Sequence, residues 1–544
     1  MSSAPFNFGA AYEKLAAALP EDAPALLHDD TVITFREWDQ QASALADTLS
    51  AAGLERGAHV GHYLRNSPAY LQAFYGCAKA GLTHVNVNYR YKADELAYLF
   101  DNLDIEAVVY DRDFAGEVAK LKELCPKLKA FIEVGPGKAE NSFATPLHEA
   151  MAGEAKPGSY SADDQIIIAT GGTTGMPKGV MWRHEDMWGA LNVGGQFTLA
   201  PENPEQPARD LDEHIENTLK YSARARFCPL NPLMHGAGLM TALFTLAQGG
   251  SILTVGGEKF DALTALRQVK KHKVQFLGIV GDAFCYPMAE ALDAHPDEQL
   301  MDTVAAIASS GAIWTKRNKE RLLEHNPKMV LIDSLGSSES AGFGASISGG
   351  GADPQTAKFM TMPRTKVLDV DNDFAEIKPG SGEMGMLAVG GSVPLGYYGD
   401  EKRTKATFPT IDGQRYVLTG DMCTVEDDGS ITFHGRGSYC INTGGEKVFV
   451  EEVEEALKSL PQIADALVVG LPHERFGQMV VAVVEPSSGE VDQEALRAEL
   501  KSQISDYKVP KHVISTTEVP RAPNGKADYP GAKKIAEAAL GIQA

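Results

Sequence analysis

Apolar side chains recur along the chain with two different periods, which predict its secondary structure. From Thr34 onward, apolar positions such as Trp38 and Leu45 have helical spacing, and Gly53 follows as a typical helix end. Short apolar runs bounded by turn residues alternate with helical patterns at 93–102 and 261–271. These runs are 107-AVVY-110, 251-SILTV-255, 274-VQFLGIV-280, 303-TVAAIA-308 and 329-MVLID-333. The alternation predicts helices that cover parallel sheets, an α/β architecture.

The pattern changes near residue 435, where 424-TVEDDGSITFHGRGS-438 is rich in turn residues. Beyond it, the sequence predicts a helix at 451–460, strands at 465–470 and 479–485, and a second helix at 494–505. About 100 residues is a normal domain size. We therefore predict a large N-terminal domain of layered α/β sheets at residues 1–437 and a small C-terminal α+β domain at 438–544.

Three further segments bear on location and shape. The most apolar stretch, 233–249, is interrupted by His235, Gln248 and glycines, which favours a buried helix over a transmembrane segment. The acidic N-terminus lacks the basic and apolar regions of a signal peptide. Both features predict a cytoplasmic protein. The Pro-rich and acidic passage 201-PENPEQPARDLDEHIE-216 is expected to be a solvated excursion.

Charge and cysteine content exclude several classes of protein. The chain has 544 residues, of which 44% are hydrophobic, and a formal net charge of −23. Such an acidic protein is repelled by phosphate backbones, so nucleic acid is not an expected partner. The six cysteines contain no C-x-x-C pair, so neither a disulfide framework nor a zinc site is expected.

The strongest motif is 166-IIIATGGTTGMPKGVMWRH-184, an apolar strand followed by glycines, threonines and Lys178. Accessible backbone N–H groups, hydroxyl groups and one ammonium group indicate a loop that binds phosphates. It is not a P-loop, because Pro177 precedes the lysine and Gly179 follows it, so no helix is expected to begin there. The segment 344-GASISG-349 does not match the G-x-S-x-G nucleophile motif either.

At this loop the sequence resembles the adenylate-forming superfamily, which includes acyl-CoA synthetases, peptide-synthetase adenylation domains and beetle luciferases. The family's glycine- and threonine-rich signature is matched by 170-TGGTTGMPKG-179. Further family stretches follow in order: 232-PLMHGAG-238, 309-SSGA-312, 335-LGSSES-340, 382-GEMGMLAVGG-391, 396-GYY-398, 419-TGD-421, 435-GR-436, 443-TGGEKV-448 and 523-PNGK-526. Their order over most of the chain makes the resemblance specific. The region after residue 170 is most similar to bacterial fatty-acyl ligases, including those for branched or steroid side-chain acids.

The resemblance implies a reaction in two steps, in which a carboxylate attacks the α-phosphate of ATP and the thiol of CoA then attacks the acyl-adenylate. It implies that Glu339 binds Mg²⁺, that Asp421 binds the ribose and that Arg436 lies near the ribose and phosphate. Leu335 replaces the aromatic residue that many relatives stack on adenine. The other residues implied at the nucleotide and CoA sites are Thr170, Gly171, Gly172, Thr173, Thr174, Gly175, Lys178, Gly311, Ala312, Gly336, Ser337, Ser338, Gly444 and Gly445.

The resemblance also implies a mobile small domain. Lys526 would contact the carboxylate and the α-phosphate in the first step, and it would then have to move away because it obstructs the thiol. Ser438 occupies the family's hinge position, where relatives have Asp or Lys. The 443–445 loop would face the CoA tunnel, and His235, otherwise a core histidine, would act as its gate.

The sequence therefore predicts an acyl-CoA synthetase that uses ATP, Mg²⁺, CoA and a carboxylic acid. Two alternatives remain: a free-standing ligase that loads a carrier protein, and a nucleotide-binding sensor without turnover. The resemblance implies a medium- or long-chain fatty acid or a steroid side-chain acid, and the individual acid and its chain length are not predicted. A homodimer is compatible with the sequence, which does not determine the oligomeric state.

Overall fold

The computed structural model describes residues 5–171, 177–311, 314, 316–349, 358–370, 372–436, 440–458, 460–489, 491–520 and 528–542. Its helices are α1 (Phe8–Ala18), α2 (Phe35–Ala51), α3 (Pro68–Ala80), α4 (Ala93–Asn102), α5 (Ala115–Leu124), α6 (Leu147–Ala150), α7 (His184–Ala190), α8 (Leu211–Tyr221), α9 (Gly236–Ala247), α10 (Ala262–Lys271), α11 (Gly281–Ala294), α12 (Lys316–His325), α13 (Glu401–Thr407), α14 (Val450–Lys458), α15 (Gln493–Gln503) and α16 (Tyr529–Leu540).

The strands of the first half are β1 (Pro24–His28), β2 (Thr31–Thr34), β3 (His59–Tyr63), β4 (Thr83–Asn86), β5 (Ile105–Asp111), β6 (Ala130–Val134), β7 (Thr145–Pro146), β8 (Gln165–Gly171), β9 (Pro177–Arg183), β10 (Arg226–Pro229), β11 (Ser251–Leu253) and β12 (Phe276–Ile279).

The strands of the second half are β13 (Ala306–Ser310), β14 (Val330–Leu335), β15 (Gly344–Gly349), β16 (Lys358–Thr361), β17 (Thr365–Asp369), β18 (Ala375–Glu376), β19 (Met384–Gly390), β20 (Gly396–Tyr397), β21 (Thr410–Ile411), β22 (Gln414–Val425), β23 (Ile431–Arg436), β24 (Cys440–Thr443), β25 (Glu446–Phe449), β26 (Ile463–His473), β27 (Gly477–Pro486) and β28 (His512–Ser515).

Two sheets and three layers of helices form the large domain. One sheet has the strand order β20-β9-β8-β4-β3-β5-β6-β7. The other has the order β2-β1-β11-β10-β12-β13-β14-β15-β16-β23-β22-β19-β17-β18, and β21 pairs with β22. Helices α1, α2, α3 and α9 fill the main core between the sheets. Helices α4 and α5 cover the outer face of the first sheet, and α10 to α12 cover that of the second. This layering confirms the predicted architecture.

The small domain has its own sheet, with one hydrophobic core on each face. Strands β25, β24, β27 and β26 lie in that order, and β28 pairs with β27 in parallel. Helices α14 and α15 cover one face, and α16 covers the other. This order of elements confirms the predicted α+β unit. The proposed boundary at Ser438 falls on residues 437–439, which lie outside the described residues.

Local sequence explains the ends of individual helices. At α2 the Thr34 hydroxyl accepts a hydrogen bond from the Glu37 N–H at 3.2 Å, and the Glu37 carboxylate accepts one from the Thr34 N–H at 2.8 Å. This capping box fixes the start of the helix. Trp38 and Leu45 of the same helix are fully buried, as their spacing predicts.

Two expectations need correction. The second part of the 201–216 passage is not solvated loop, because α8 begins at Leu211 and buries Leu211, His214 and Ile215. Asp210 initiates this helix by accepting a hydrogen bond from the Glu213 N–H at 2.9 Å. The second sheet is also not purely parallel, in contrast to the expectation. Strands β10, β12, β13 and β14 are parallel to one another, whereas β15 pairs with β14 in the antiparallel direction.

The apolar stretch at 233–249 forms the buried helix α9, as predicted. Among the described residues, no helix combines the length and the apolar character that crossing a bilayer requires.

Candidate active site

A cavity of about 250 Å³ lies between helix α9 and the carboxyl ends of strands β12, β13 and β14. Gly278, Ala308 and Ser334 form part of its floor on the sheet, and Gly236 and Met240 face it from the helix. Ligands of α/β proteins bind in this position, where parallel strands end and loops diverge. The cavity reaches from the apolar space under α9 to the ends of the strands.

The hairpin of β8 and β9 lies at one side of the cavity. Thr170 lines the cavity and is paired in register with Lys178, and Gly171 is paired with Pro177. The sequence thus forms the predicted strand, loop and second strand. Four predicted phosphate-binding residues of this loop lie outside the described residues: Gly172, Thr173, Thr174 and Gly175.

Lys178 and Glu339 are joined through Tyr397, which the sequence analysis did not select. The Tyr397 hydroxyl donates a hydrogen bond to Glu339 Oε1 at 2.7 Å, and the Lys178 ammonium lies 4.1 Å from the centre of the tyrosine ring. Burial and the Glu339 carboxylate raise the pKa of Tyr397, so its hydroxyl stays protonated and can donate. Tyr397 lies on β20, whose partner is the phosphate-loop strand β9.

Glu339 is a suitable ligand for a hard divalent cation. Its residue is only 8% exposed, and it follows Ser337 and Ser338, both of which line the cavity. The indole N–H of Trp182 holds this turn by donating to the Ser338 carbonyl at 2.9 Å. The described residues contain no cluster of three or more metal-binding side chains. One carboxylate suits a Mg²⁺ ion whose remaining ligands are phosphate oxygens and water.

Some of the predicted nucleotide-binding residues line the cavity. Gly311, Leu335 and Gly336 line it. Asp421 is buried, accepts a hydrogen bond from the Thr419 hydroxyl and is paired in register with Arg436. Leu335 packs against the apolar cluster of Phe343 and Val389. Ala312 and the side chain of Arg436 lie outside the description.

The small domain closes the mouth of the cavity with its 443–446 loop. Gly444 donates its N–H to the carbonyl of Phe476 at 3.0 Å. Gly445 has φ 85°, and a Cβ atom there would lie 2.5 Å from Val280 Cγ1. Only glycine permits such a close approach together with this backbone conformation. Gly445 and Glu446 both line the cavity.

His235 meets the small domain at this mouth. Its Nε2 lies 3.2 Å from Glu446 Oε1, and Arg90 donates a hydrogen bond to the same carboxylate oxygen. His235 is the residue before α9, so its ring projects from the start of the helix that roofs the cavity. The predicted gate residue therefore lies between the acyl space and the loop predicted to face CoA.

A second contact between the domains surrounds Lys508. Its ammonium lies 3.1 Å from Glu95 of the large domain and 2.6 Å from Glu452 of the small domain. Its side chain is 4% exposed. Burial acts to lower its pKa, but Tyr91, Glu452 and Glu95 outweigh that effect and raise it. Lys508 is therefore a charged link between the two domains.

Three functional candidates were missed because their role depends on distant contacts. Glu446 directly follows the predicted Gly444–Gly445 pair, and this position in the sequence could have indicated that it lies at the same site. Arg90 and Lys508 had no local signal, since each is an ordinary basic residue until the domains meet. Lys526, the predicted catalytic lysine, lies in 521–527, outside the described residues.

Comparisons with known proteins identify the family of this chain. A family model described as AMP-binding enzyme matches residues 12–398, and one described as AMP-binding enzyme C-terminal domain matches residues 452–526. The chain is 38% identical over 527 residues to a medium/long-chain-fatty-acid–CoA/3-oxocholest-4-en-26-oate–CoA ligase of Mycolicibacterium smegmatis, covering 95% of this chain and 94% of that protein. It is also 38% identical over 536 residues to a 3-oxocholest-4-en-26-oate–CoA ligase of Rhodococcus rhodochrous, covering 95% and 94%.

Among solved structures, the amide bond synthetase McbA from Marinactinospora thermotolerans superimposes with a TM-score of 0.79 at 20% identity. The superposition covers 97% of this chain and 99% of that one. At this identity the likeness establishes the fold, with its large N-terminal and small C-terminal domains.

Proposed function

The chain belongs to the AMP-binding enzyme family, and from this membership we propose that it is an ATP-dependent acyl-CoA ligase. Its proposed acids are medium- or long-chain fatty acids and steroid side-chain acids, the classes named for its relatives. One observation carries the proposal: a single cavity joins an apolar space, the predicted nucleotide residues and the glycine loop at the mouth. Three substrates can therefore meet in one place.

In the first half-reaction, a carboxylate oxygen of the acid attacks the α-phosphate of ATP. A new P–O bond forms, the bond to pyrophosphate breaks, and the acyl-adenylate remains. Thr170 and Lys178 are proposed to bind the departing phosphates together with Gly171 to Gly175. Asp421 is proposed to accept the ribose hydroxyls. Because both reactants are anions, positioned cations and hydrogen-bond donors supply most of the catalysis.

We assign Glu339 as the Mg²⁺ ligand. When bound there, Mg²⁺ neutralises charge on the phosphates of ATP. Tyr397 keeps the carboxylate in place through its hydrogen bond to Oε1. The same ring lies beneath Lys178, so one tyrosine orients both charged groups of the phosphate site.

In the second half-reaction, the CoA thiolate attacks the acyl carbon, a thioester bond forms, and AMP leaves with the electron pair of the broken C–O bond. The described arrangement suits this step, because Gly445 and Glu446 of the small domain lie at the mouth. We propose that CoA enters there and that His235 controls the passage. Lys526 is proposed to act in the first step, for which the small domain turns about Ser438.

ATP and CoA are both abundant in the cytoplasm, and we propose that the enzyme works there. The apolar lining supports a fatty or steroid chain as the acyl group. Ile168, Phe227 and Met240 contribute to it. Burying a methylene group contributes about 0.8 kcal/mol, so chain length should affect kcat/KM several-fold per carbon until the cavity is filled.

The test separates this function from its alternatives. Purified protein is mixed with ATP, Mg²⁺ and one acid at a time, from acetate to palmitate and a cholestenoate. Pyrophosphate exchange is measured without CoA, and CoA thioester is detected by mass spectrometry after CoA is added. We expect acid-dependent exchange and thioester. Exchange without thioester would indicate a carrier-protein ligase, and no acid-dependent exchange would indicate a sensor.

A further inference from the structure

Arg364 is a half-buried arginine whose guanidinium group contacts three backbone carbonyls. Its Nη1 donates to the Ser392 carbonyl at 3.0 Å. Its Nη2 donates to the carbonyls of Ser340 and Ala190, at 3.0 and 3.2 Å. Burial lowers the pKa of the guanidinium group, and no acid of the described residues counteracts this effect. The side chain is therefore held by backbone atoms of three separate segments rather than by an ion pair.

Each of these three segments carries a group of the proposed phosphate site. Ser340 directly follows Glu339, the assigned Mg²⁺ ligand. Ala190 ends helix α7, which begins directly after strand β9 with Lys178. Ser392 lies between strands β19 and β20, and β20 carries the tyrosine that contacts both charged groups. One guanidinium group thus connects the segments of the carboxylate, the ammonium group and the tyrosine between them.

The turn that carries Glu339 is closed by its own hydrogen bonds. The Ser337 N–H donates to Ser340 Oγ at 3.0 Å, and the Ser340 N–H donates to the Ser337 carbonyl at 3.2 Å. The Glu339 N–H donates to Ser337 Oγ at 3.3 Å. Because these bonds join the ends of the turn, a shift of the Ser340 carbonyl would also move Glu339.

The backbone that carries the guanidinium group is anchored on strands β17 and β19. The Gly390 N–H donates to the Arg364 carbonyl at 3.0 Å, and the next residue, Thr365, is paired in register with Val389. The Thr365 hydroxyl donates to the Phe343 carbonyl at 2.7 Å. Arg364 therefore extends from a fixed base to the three carbonyls.

The shape of the guanidinium group suits this contact. The last carbonyls of a helix have no partner within the helix, and a cation is favourable there, as it is at Ala190. A Cβ atom at Gly189 would lie 2.5 Å from Ser392 Oγ, so the end of α7 and Ser392 are closely packed. Arginine presents five N–H donors in a rigid plane, whereas lysine has one ammonium group on a flexible stem. Lysine is therefore a poor substitute at this position.

We propose that Arg364 is a positioning residue of the first half-reaction, which holds the turn of Glu339 against the segments of Lys178 and Tyr397. The Glu339 carboxylate then faces the Mg²⁺ ion that accompanies ATP. This proposal rests on the proposed ligase function. Tyr397 holds the side chain of Glu339, whereas Arg364 holds the backbone next to it.

Arg364→Lys tests the proposal, because lysine keeps the positive charge but does not replace the planar group. Pyrophosphate exchange is measured without CoA over a range of Mg²⁺ concentrations. We expect the Mg²⁺ concentration for half-maximal exchange to rise roughly tenfold or more, since misplacing a group by about 1 Å costs up to about 100-fold in rate. Thioester formation from preformed acyl-adenylate does not involve the departing phosphates, so it should keep its wild-type rate.

Thermal unfolding gives a second readout that needs no turnover. ATP should raise the unfolding temperature of the wild type when Mg²⁺ is present, and Arg364→Lys should need roughly tenfold more Mg²⁺ for the same rise. Arg364→Gln, which keeps a planar amide donor without the charge, is the second variant and should change both readouts in the same direction. It replaces Arg364→Lys in both assays if the lysine variant does not fold.

Arg226→Lys is the matched control. Arg226 also donates to a backbone carbonyl, that of His272 at 2.6 Å, but this partner directly follows α10 and lies outside the three segments. The control should leave the Mg²⁺ dependence of both readouts unchanged.

The inference would be overturned if folded Arg364→Lys had the Mg²⁺ dependence of the wild type, or if both half-reactions slowed equally. In those cases acid-dependent exchange by the wild type would leave the proposed function intact. Absence of acid-dependent exchange in the wild type would instead contradict the proposed function, and the unfolding temperature with ATP and Mg²⁺ would still test Arg364.

Discussion

Replacing Lys508 with methionine should slow the second half-reaction selectively. Lys508 lies between Glu95 of the large domain and Glu452 of the small domain, and both carboxylates are largely buried in this arrangement. Methionine has a similar length but no charge, so the two carboxylates would face each other without a cation. When the small domain turns away, water can solvate them again. The variant therefore destabilises the described arrangement relative to others.

The magnitude follows from the burial of the three groups. Removing one partner of a buried ion pair costs about 3 to 5 kcal/mol. Glu95 keeps hydrogen bonds from the Ser505 hydroxyl at 2.9 and 3.0 Å, so the lower value applies. A cost of about 3 kcal/mol reduces the population of this arrangement roughly 100-fold relative to the turned one. If thioester formation requires it, that step slows by up to the same factor.

Two assays measure the two half-reactions separately. Pyrophosphate exchange without CoA reports the first half-reaction, and single-turnover thioester formation from preformed acyl-adenylate reports the second. We expect Lys508→Met to lose rate only in the second assay. Adding Glu95→Gln and Glu452→Gln should recover most of the loss, because no unpaired charge remains. Lys501→Met, a change at an exposed lysine of α15, should have no effect.

Equal losses in both assays would contradict a role of Lys508 in the second half-reaction alone, as would full activity in the second assay. A defect that disappears at saturating CoA would also refute it, because it would make Lys508 a CoA-binding residue rather than a link between domains.

Three further predictions concern other groups. Tyr397→Phe keeps the ring beneath Lys178 but removes the hydrogen bond to Glu339. The Mg²⁺ concentration that gives half-maximal pyrophosphate exchange should therefore rise roughly tenfold, as expected for the loss of one hydrogen bond to a charged group. Tyr398→Phe, at the neighbouring residue, is the control. Lys526→Ala should slow pyrophosphate exchange on the order of 100-fold or more while leaving thioester formation from acyl-adenylate intact; equal loss in both halves contradicts its assignment. Burial raises the pKa of Asp111 from 3.8 to about 6, so the folded state favours the protonated acid, and its stabilising contribution is lost as pH rises from about 4 to about 6. Asp111→Asn should therefore gain about 2 kcal/mol of unfolding free energy relative to the wild type between pH 4 and pH 7, measured by denaturant unfolding, whereas a constant difference would contradict the burial argument.

Much of the fold could be predicted because local patterns determine it. The spacing of Trp38 and Leu45 predicted α2, and the strand-loop-strand pattern around Lys178 predicted the β8–β9 hairpin. The error at α8 has a local cause as well. The acidic residues and prolines before Leu211 favoured a loop prediction, although the helix that begins there buries only one face.

The site could be predicted only where a motif marks it. Glu339 and Asp421 lie in short recognisable segments, and both are buried. Tyr397 also lies in a family segment, yet its contact with Glu339 depends on β20 pairing with β9 across more than 200 residues of chain.

The central claim is that the cavity beneath α9 holds the acid, the nucleotide and the incoming thiol together. A crystal structure with an acyl-adenylate analogue, in which a sulfamoyl group replaces the phosphate, tests it most directly. We expect the acyl chain between α9 and strands β12 to β14, over Gly278, with the ribose on Asp421 and the acyl carbon facing Gly445. An acyl chain bound outside this cavity, or a ribose away from Asp421, would contradict it.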